Sequence, residues 1–277
     1  MFDVVIIGGG AAGLFLAANL PTNNAILLDH KEAVGKKLLI TGGGMCNLTN
    51  TQPPNEFVSH YGDRTQRNFL LPSLQAFPPS ALMEWFEEKG VPLLIREDGK
   101  VFPASLDAHQ IRDVLSRESK ATIQYNTNIS AITRNDNGFT ITTNKGILQS
   151  KMLVLATGGM SYPRTGSDGS GYALAKSLGH SIIPPKPALA AIAIEGYHWK
   201  HLAGNAVRSV SAKFYHSGEK KPFREAVGDI LFTHDGLSGP LVLTASRELI
   251  QGDTITFSLL PMEHKATVQQ HILSLLG

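Results

Sequence analysis

Six residues near the amino terminus, Gly8-Gly9-Gly10-Ala11-Ala12-Gly13, carry the spacing G-x-G-x-x-G. Each glycine in that spacing has a task. The first permits a tight turn out of a strand. The second lets the backbone approach a diphosphate, and the third lets a helix pack close to the strand. A diphosphate placed there meets free N–H groups and the positive end of a helix dipole. Asp29 follows about 20 residues on, where a carboxylate accepts hydrogen bonds from ribose hydroxyls. The motif alone is weak, but its surroundings suit it. Phe2–Ile7 is a short apolar run rich in β-branched residues, 11–20 reads as a helix, and Ala25–Leu28 is a second apolar run closing at Asp29. Strand, glycine turn, helix and strand make a βαβ unit. Parallel strands buried on both faces explain why the runs are continuous rather than alternating. A glycine turn in an ordinary α/β domain is the plain alternative.

Asp29 suits the ribose of NAD or of FAD, and two later segments favour FAD. Residues 35–50 run Gly-Lys-Lys-Leu-Leu-Ile-Thr-Gly-Gly-Gly-Met-Cys-Asn-Leu-Thr-Asn. Their three central glycines let backbone lie against a flat ring. Positive charge near that ring's polar edge stabilises a reduced, anionic flavin, and Lys36 and Lys37 are available for that or for a phosphate. The second segment is Leu155-Ala156-Thr157-Gly158-Gly159, an apolar strand ending in a small-residue turn. Ligands of open α/β sheets sit at the carboxyl ends of strands, and a turn without bulk can cover a cofactor there. A flexible polar loop and a simple strand-end turn are the competing readings of the two segments.

Candidates for chemistry on a substrate are Tyr162, Arg164 and His234. A tyrosine can donate a proton or bond a carbonyl, an arginine can hold an anionic or carbonyl group, and a histidine titrates near neutrality. Tyr162-Pro163 can equally just shape a loop, and His234 can be an ordinary turn residue. Cys46 is the single cysteine. It has no partner for dithiol exchange and reads as a small buried hydrophobe. His198, His201 and His216 lack a zinc spacing, so no metal is expected.

These segments must be held by a globular frame. The chain has 277 residues, 42% hydrophobic and 17% charged, a balance that supports a sizeable core. Its net charge of +2 is too small to argue for nucleic acid by itself. No basic leader and no run of roughly 18 apolar residues is present, so a soluble cytoplasmic protein is expected. Residues 80–89 read as a helix with Ser80 as its cap, and 106–118 as another. Residues 122–132 and 139–143 alternate around the turn Asn135-Asp136-Asn137-Gly138, with a second turn at 144–146. Residues 152–156 read as a buried strand. From about Pro184 the pattern turns strand-rich, at 189–194, 207–215, 226–232 and 254–260, and 267–276 begins a helix. The expected organisation is an FAD-binding Rossmann-like domain over 1–188, a β-rich domain over 189–262 and the start of a helical subdomain over 263–277.

Four segments together resemble the bacterial NAD(P)/FAD-dependent oxidoreductase family that has aminoacetone-oxidase-like and bile-acid-reductase-like members. They are the Gly8–Gly13 turn, residues 35–50, residues 156–166 (Ala-Thr-Gly-Gly-Met-Ser-Tyr-Pro-Arg-Thr-Gly) and residues 232–240 (Phe-Thr-His-Asp-Gly-Leu-Ser-Gly-Pro). The resemblance implies an α/β, Rossmann-type fold of the two-dinucleotide-binding flavoprotein kind with an inserted β-rich domain, and non-covalent FAD. By match to the family's motifs, Gly8, Gly10, Ala12, Gly13, Asp29, Lys37, Thr41, Gly43, Asn47, Ala156, Thr157 and Gly158 would line the FAD. Ala11 and His30 would lie beside them, and the backbone of Ile129 would meet the adenine. Where the family usually has an arginine before the cysteine, this chain has Met45, which removes an always-charged planar donor. The resemblance spans roughly the front two-thirds of a family member, so the segment that completes the helical subdomain and adds a last flavin contact is expected to be missing.

Three functions follow as expectations. The first is an FAD enzyme moving a hydride between flavin and a small organic substrate, either reducing an activated C=C bond with NAD(P)H as donor or oxidising an amine with oxygen. The second keeps the flavin and reduces a uridine in ribosomal RNA; the cluster Lys213, Lys220, Lys221 and Arg224 is a modest hint of an RNA surface. The third is a catalytically silent FAD-binding domain. An NAD-only dehydrogenase is a distant fourth, because it gives residues 156–166 no task.

Overall fold

The computed structural model describes residues 1–258, and the chain divides into two compact units, Met1–Ile183 and a second that begins at Pro184. In the first unit the elements follow as β1 (Phe2–Ile7), α1 (Ala11–Ala18), β2 (Ala25–Leu28), β3 (Thr49–Asn50), α2 (Pro54–Phe57), α3 (Arg64–Ala76), α4 (Pro79–Glu88), β4 (Leu93–Ile95), β5 (Lys100–Pro103), α5 (Ala108–Arg117), β6 (Thr122–Gln124), β7 (Ile129–Asn135), β8 (Gly138–Thr143), β9 (Gly146–Leu155) and α6 (Ser170–Ser177). A six-stranded sheet runs in the order β6-β2-β1-β9-β8-β7. Its β6, β2, β1 and β9 are parallel, whereas β9, β8 and β7 form an antiparallel meander.

Alternate residues of β1 enter two cores. Val4 and Ile6 pack with Leu14, Ala17, Leu27 and Ile111 on the α1–α5 side. Val5 and Ile7 pack with Ile26, Leu28 and Ile141 on the other, against Leu174 of α6. Burial on both faces is why the run carries no polar alternation. Removing one such side chain, as in Ile6→Ala, costs about 2–5 kcal/mol.

β9 is ten residues long and does two jobs. Its start is a hairpin arm against β8, and its end enters the parallel core beside β1. The apolar strand expected at 152–156 is therefore only the tail of a longer one. The carboxyl ends of β1, β2, β6 and β9 all open on one edge of the sheet, and the start of β7 returns to that edge.

Two local expectations need correction, and one helix is unexpected. Ser80 is not a helix cap: α4 begins at Pro79 with Pro78 as its N-cap. A proline's fixed φ suits the first helical position, so the helix starts ahead of the serine. The alternation over 122–132 is not one strand. β6 ends at Gln124, Asn126 turns left-handed (φ +50°), and the Thr127 N–H donates to the Asp29 carbonyl before β7 begins. The unexpected helix is α3, which opens on a reciprocal cap between Asp63 and Gln66 and carries Pro72 inside it.

The second unit continues with β10 (Ile192–Ala193), β11 (Ala206–Tyr215), β12 (Arg224–Phe232), β13 (Gly236–Ser238), α7 (Pro240–Ala245) and β14 (Thr254–Ser258). Its five strands form an antiparallel sheet in the order β10-β13-β12-β11-β14. Phe214, Ile230, Phe232 and Leu237 form its core with Leu241, Val242 and Ala245 of α7. The strand expected at 189–194 shrinks to Ile192–Ala193. The helix expected at 267–276 and the segment 263–277 lie outside the described residues.

Candidate cofactor site

The three motif glycines are needed for different reasons. Gly8 has φ +108°, and a Cβ there would overlap the Ala156 carbonyl oxygen. A Cβ on Gly13 would overlap the Gly8 carbonyl oxygen. Both positions are small because the protein's own backbone passes through the space. Gly10 differs: its backbone is extended (φ −79°, ψ −172°), and a Cβ would meet no atom of the described residues within 4 Å. Nothing among the described residues requires a glycine there, so the space is open to a ligand.

Gly10 also caps α1 with no side-chain acceptor, and no acidic residue sits in the first turn. The leading N–H groups of α1 thus lack a side-chain partner beside exposed Ala11 and Ala12. This is the positive end of a helix with room for an anion.

At the end of β2, Asp29 accepts hydrogen bonds from the Gly9 N–H (2.7 Å) and the Lys31 N–H (2.8 Å). A carboxylate offers about four lone-pair sites, so two remain for hydroxyl groups. The side chain is held in place before any ligand arrives. Asp29→Ala leaves both N–H groups unpaired and is expected to lower stability by about 2 kcal/mol, as well as weaken dinucleotide binding. Thermal melting and a binding titration read the two effects separately.

A cavity of about 1150 Å³ opens at this edge of the sheet. Of the residues singled out above, Gly8, Gly10, Ala11, Ala12, Asp29, His30, Lys37, Thr41, Asn47, Ile129, Ala156, Thr157 and Gly158 line it. Gly13 and Gly43 do not: Gly13 is buried beneath Gly8, and Gly43 is exposed on its turn. Tyr162 and Arg164 are exposed and outside the lining; Tyr162 is left-handed (φ +55°), and its carbonyl accepts from the Thr165 N–H and hydroxyl. His234 belongs to the second unit, exposed in the turn between β12 and β13.

Two parts of the lining escaped the sequence reading. Asp168 faces the cavity ahead of α6, and its hydrogen bonds from Ser170 hold the carboxyl below the usual carboxylate range. The turn Gly166-Ser167-Asp168-Gly169 was the available signal. An apolar wall is formed by Phe15, Phe77, Leu82, Phe86, Ile111 and Leu115. Their helical spacing marks them only as core.

Lys37 reaches the Ser161 hydroxyl at 3.3 Å, and burial holds its ammonium below its ordinary value. An anion in the cavity would relieve that. Cys46 is buried with φ +59°, and burial pushes its thiol up against a hydrogen bond with Thr41 that lowers it. A neutral thiol there is wall rather than nucleophile. No cluster of metal ligands is found among the described residues. An open glycine at a helix start, a fixed carboxylate, a small-residue turn and a lysine together fit a dinucleotide with its diphosphate.

The sequence matches the family described as "HI0933-like protein Rossmann domain" over residues 2–251. The chain belongs to that family. Its members form an FAD-binding oxidoreductase family, and the parallel sheet with added antiparallel sheets is that Rossmann-type fold. Among curated relatives, an Escherichia coli "Ribosomal RNA dihydrouridine synthase" is 31% identical over 94% of this chain and 64% of its own length. A Clostridium scindens "3-dehydro-bile acid delta(4,6)-reductase" is 32% identical over 91% of this chain and 61% of its own. The HI0933-like chain described here therefore spans less than two thirds of these relatives. Among solved structures, the open conformation of a flavocytochrome c3 fumarate reductase shares the fold with a TM-score of 0.50 and 19% identity, over 65% of this chain and 41% of the other. No helix among the described residues is long and apolar enough to cross a membrane.

Proposed function

We propose that this chain is the FAD-binding part of an oxidoreductase that saturates a carbon–carbon double bond conjugated to a carbonyl on a small organic molecule, with NAD(P)H as electron donor. The observation that carries the reading is a single cavity with a dinucleotide cradle and an apolar wall. The two relatives' names describe one kind of chemistry. Making dihydrouridine saturates a ring double bond next to a carbonyl, and a delta(4,6)-reductase acting on a 3-dehydro compound does the same in a carbocycle.

When bound, FAD supplies the two-electron chemistry. The chain's own residues bind and orient. The start of α1 and Lys37 would meet the diphosphate, and Asp29 would accept from a ribose. Residues 41–47 and 156–158 would let backbone approach the cofactor closely, and Ile129, which lines the cavity, would meet the adenine. The apolar wall excludes water and favours an apolar substrate. Tyr162 and Arg164, in the unit that holds the cavity, are exposed and so available to a substrate as proton donor or carbonyl ligand; His234 is exposed in the second unit.

A second reading, reduction of a uridine in ribosomal RNA, is favoured by the 31% identity to the dihydrouridine synthase. The basic cluster gives it less support than expected. Lys213 pairs with Glu225 at 3.3 Å and Arg224 with Glu248 at 2.7 Å, leaving Lys220 and Lys221 exposed in the turn.

The deciding measurement is the visible spectrum of the purified chain after exposure to FAD, followed by anaerobic reduction and mixing with a cyclic enone or a uridine-containing RNA. The expected result is bound flavin that the enone reoxidises faster. Faster reoxidation by RNA, with salt-sensitive binding, would put the second reading first. A colourless chain that takes up no FAD overturns both, and a flavin-bound chain that neither compound reoxidises leaves a catalytically silent FAD-binding domain.

A further inference from the structure

Residues 41–47, Thr-Gly-Gly-Gly-Met-Cys-Asn, contain no charged side chain. Their turn nevertheless has a guanidinium fixed against it from another element. Phe102 of β5 lies under the turn, its Cε1 3.2 Å from where a Cβ on Gly42 would sit. The Arg96 guanidinium lies over the same ring, 4.2 Å from its centre, and donates to the Met45 sulfur at 3.3 Å. The tip of the β4–β5 hairpin holds Arg96 there: its N–H donates to the Lys100 carbonyl and its carbonyl accepts from the Gly99 N–H, both at 2.9 Å.

An exposed arginine normally roams or pairs with a carboxylate. Arg96 does neither. Asp98 is two residues away and feels its charge, but its carboxylate bonds Lys100 at 2.6 Å. No carboxylate lies within ion-pair distance of Arg96 among the described residues. A thioether is a weak acceptor, and a guanidinium has five N–H donors. Most of the group's hydrogen-bonding capacity and all of its charge stay unspent, while the aromatic face fixes its place. The turn it touches contributes Thr41, Cys46 and Asn47 to the cavity lining.

We infer that Arg96 is the cation of the glycine turn: a positioning residue that, from the β4–β5 hairpin, places positive charge beside 41–47 and favours the negatively charged, reduced form of the cofactor bound there. The inference rests on the FAD reading above. Positive charge near a flavin's polar edge raises its potential, and loss of that charge lowers it.

The test uses the FAD-loaded chain with Arg96→Met, Arg96→Lys and the double variant Met45→Arg with Arg96→Met. The FAD dissociation constant is read from flavin fluorescence, the midpoint potential by equilibration with a reference dye, and folding by thermal melting. Arg96→Met is expected to lower the potential and to weaken the reduced cofactor roughly tenfold more than the oxidised one, as loss of a nearby opposite charge does. Arg96→Lys should fall between, and the double variant, which returns a guanidinium to the turn, should recover most of both effects. A purely packing role predicts a lowered melting temperature in Arg96→Met with potential and affinity unchanged, and that result overturns the inference. If Arg96→Met folds poorly, the lysine and double variants still decide: an unchanged potential in the former and no recovery in the latter count against it. An unmodified chain that takes up no FAD overturns the cofactor reading and this inference with it; one that binds FAD but is indifferent at position 96 overturns this inference alone.

Discussion

Gly10→Glu is expected to leave the folded chain as stable as its parent and to abolish FAD uptake. The two halves of that result come from one observation. The Gly10 backbone is extended, a conformation any residue adopts, and its Cβ direction is free of atoms of the described residues to 4 Å. Replacing a glycine at such a site reduces the freedom of the unfolded chain, worth about 0.4–1 kcal/mol in favour of folding. A carboxylate at the start of α1 is also electrostatically welcome to the helix itself. The same carboxylate would stand where the proposed diphosphate lies, excluding it by bulk and by charge. Loss of affinity by at least about 100-fold is expected, because the helix-end N–H groups are denied to the ligand. Gly10→Ala should show a smaller loss with the same unchanged melting temperature. Titration of FAD against fluorescence, beside melting of the ligand-free chain, reads both. Unchanged affinity in Gly10→Glu would mean the cavity does not receive its anion at this turn, and the cofactor assignment would have to move.

How much of this was legible before the fold was known depends on how local the signal is. β1, the glycine turn and β2 are written in adjacent residues: continuous apolar runs, glycines and a carboxylate at fixed offsets. Asp29 could be picked out because its partner, the Gly9 N–H, belongs to the same βαβ unit. Residues that reach the cavity by tertiary routing were not legible in the same way. Asp168 arrives on the segment after β9, and Phe15, Phe77, Leu82 and Ile111 come from four parts of the chain whose periodicity says only that they are apolar. Ile129 was named from family resemblance alone; its place follows from the break at Asn126, which ends β6 and brings β7 back over the same edge. α3 was hidden by Pro72, which reads as an interruption although a strong cap at Asp63 starts the helix. β13 and α7 are three and six residues long, too short for any period to show. Arg96 carried no signal at all, since a hairpin-tip arginine beside two acidic residues reads as surface.

Gly13→Ala makes the complementary prediction, a large loss of stability from one added methyl. Gly13 lies in α1, buried, and its missing side chain points at the Gly8 carbonyl oxygen so closely that a Cβ would overlap it. Neither group can step aside freely. The Gly8 N–H is bonded to the Leu28 carbonyl at 2.8 Å, and Gly8 already uses a φ of +108° that other residues rarely adopt. α1 is anchored by Leu14, Ala17 and Ala18, all buried against the sheet. Relief therefore requires the helix to lift from β1, opening the core along its length. Overpacking of this kind costs about 1–3 kcal/mol where side chains can adjust, and the upper end or beyond is expected where backbone must move. Against a typical domain stability of about 5–15 kcal/mol this is a large fraction. A loss of about 3 kcal/mol corresponds to a melting temperature roughly 6–12 °C lower for a unit of this size. In an ordinary helix the same substitution would stabilise by about 1 kcal/mol, so even the sign is diagnostic. Gly10→Ala and Gly13→Ala sit in one six-residue motif and add the same methyl. The first should change binding without stability, and the second should change stability whether or not FAD is present. A Gly13→Ala chain that melts with its parent would mean that α1 does not approach the glycine turn as closely as described, and the open position at Gly10 would lose the geometry that makes it a diphosphate site.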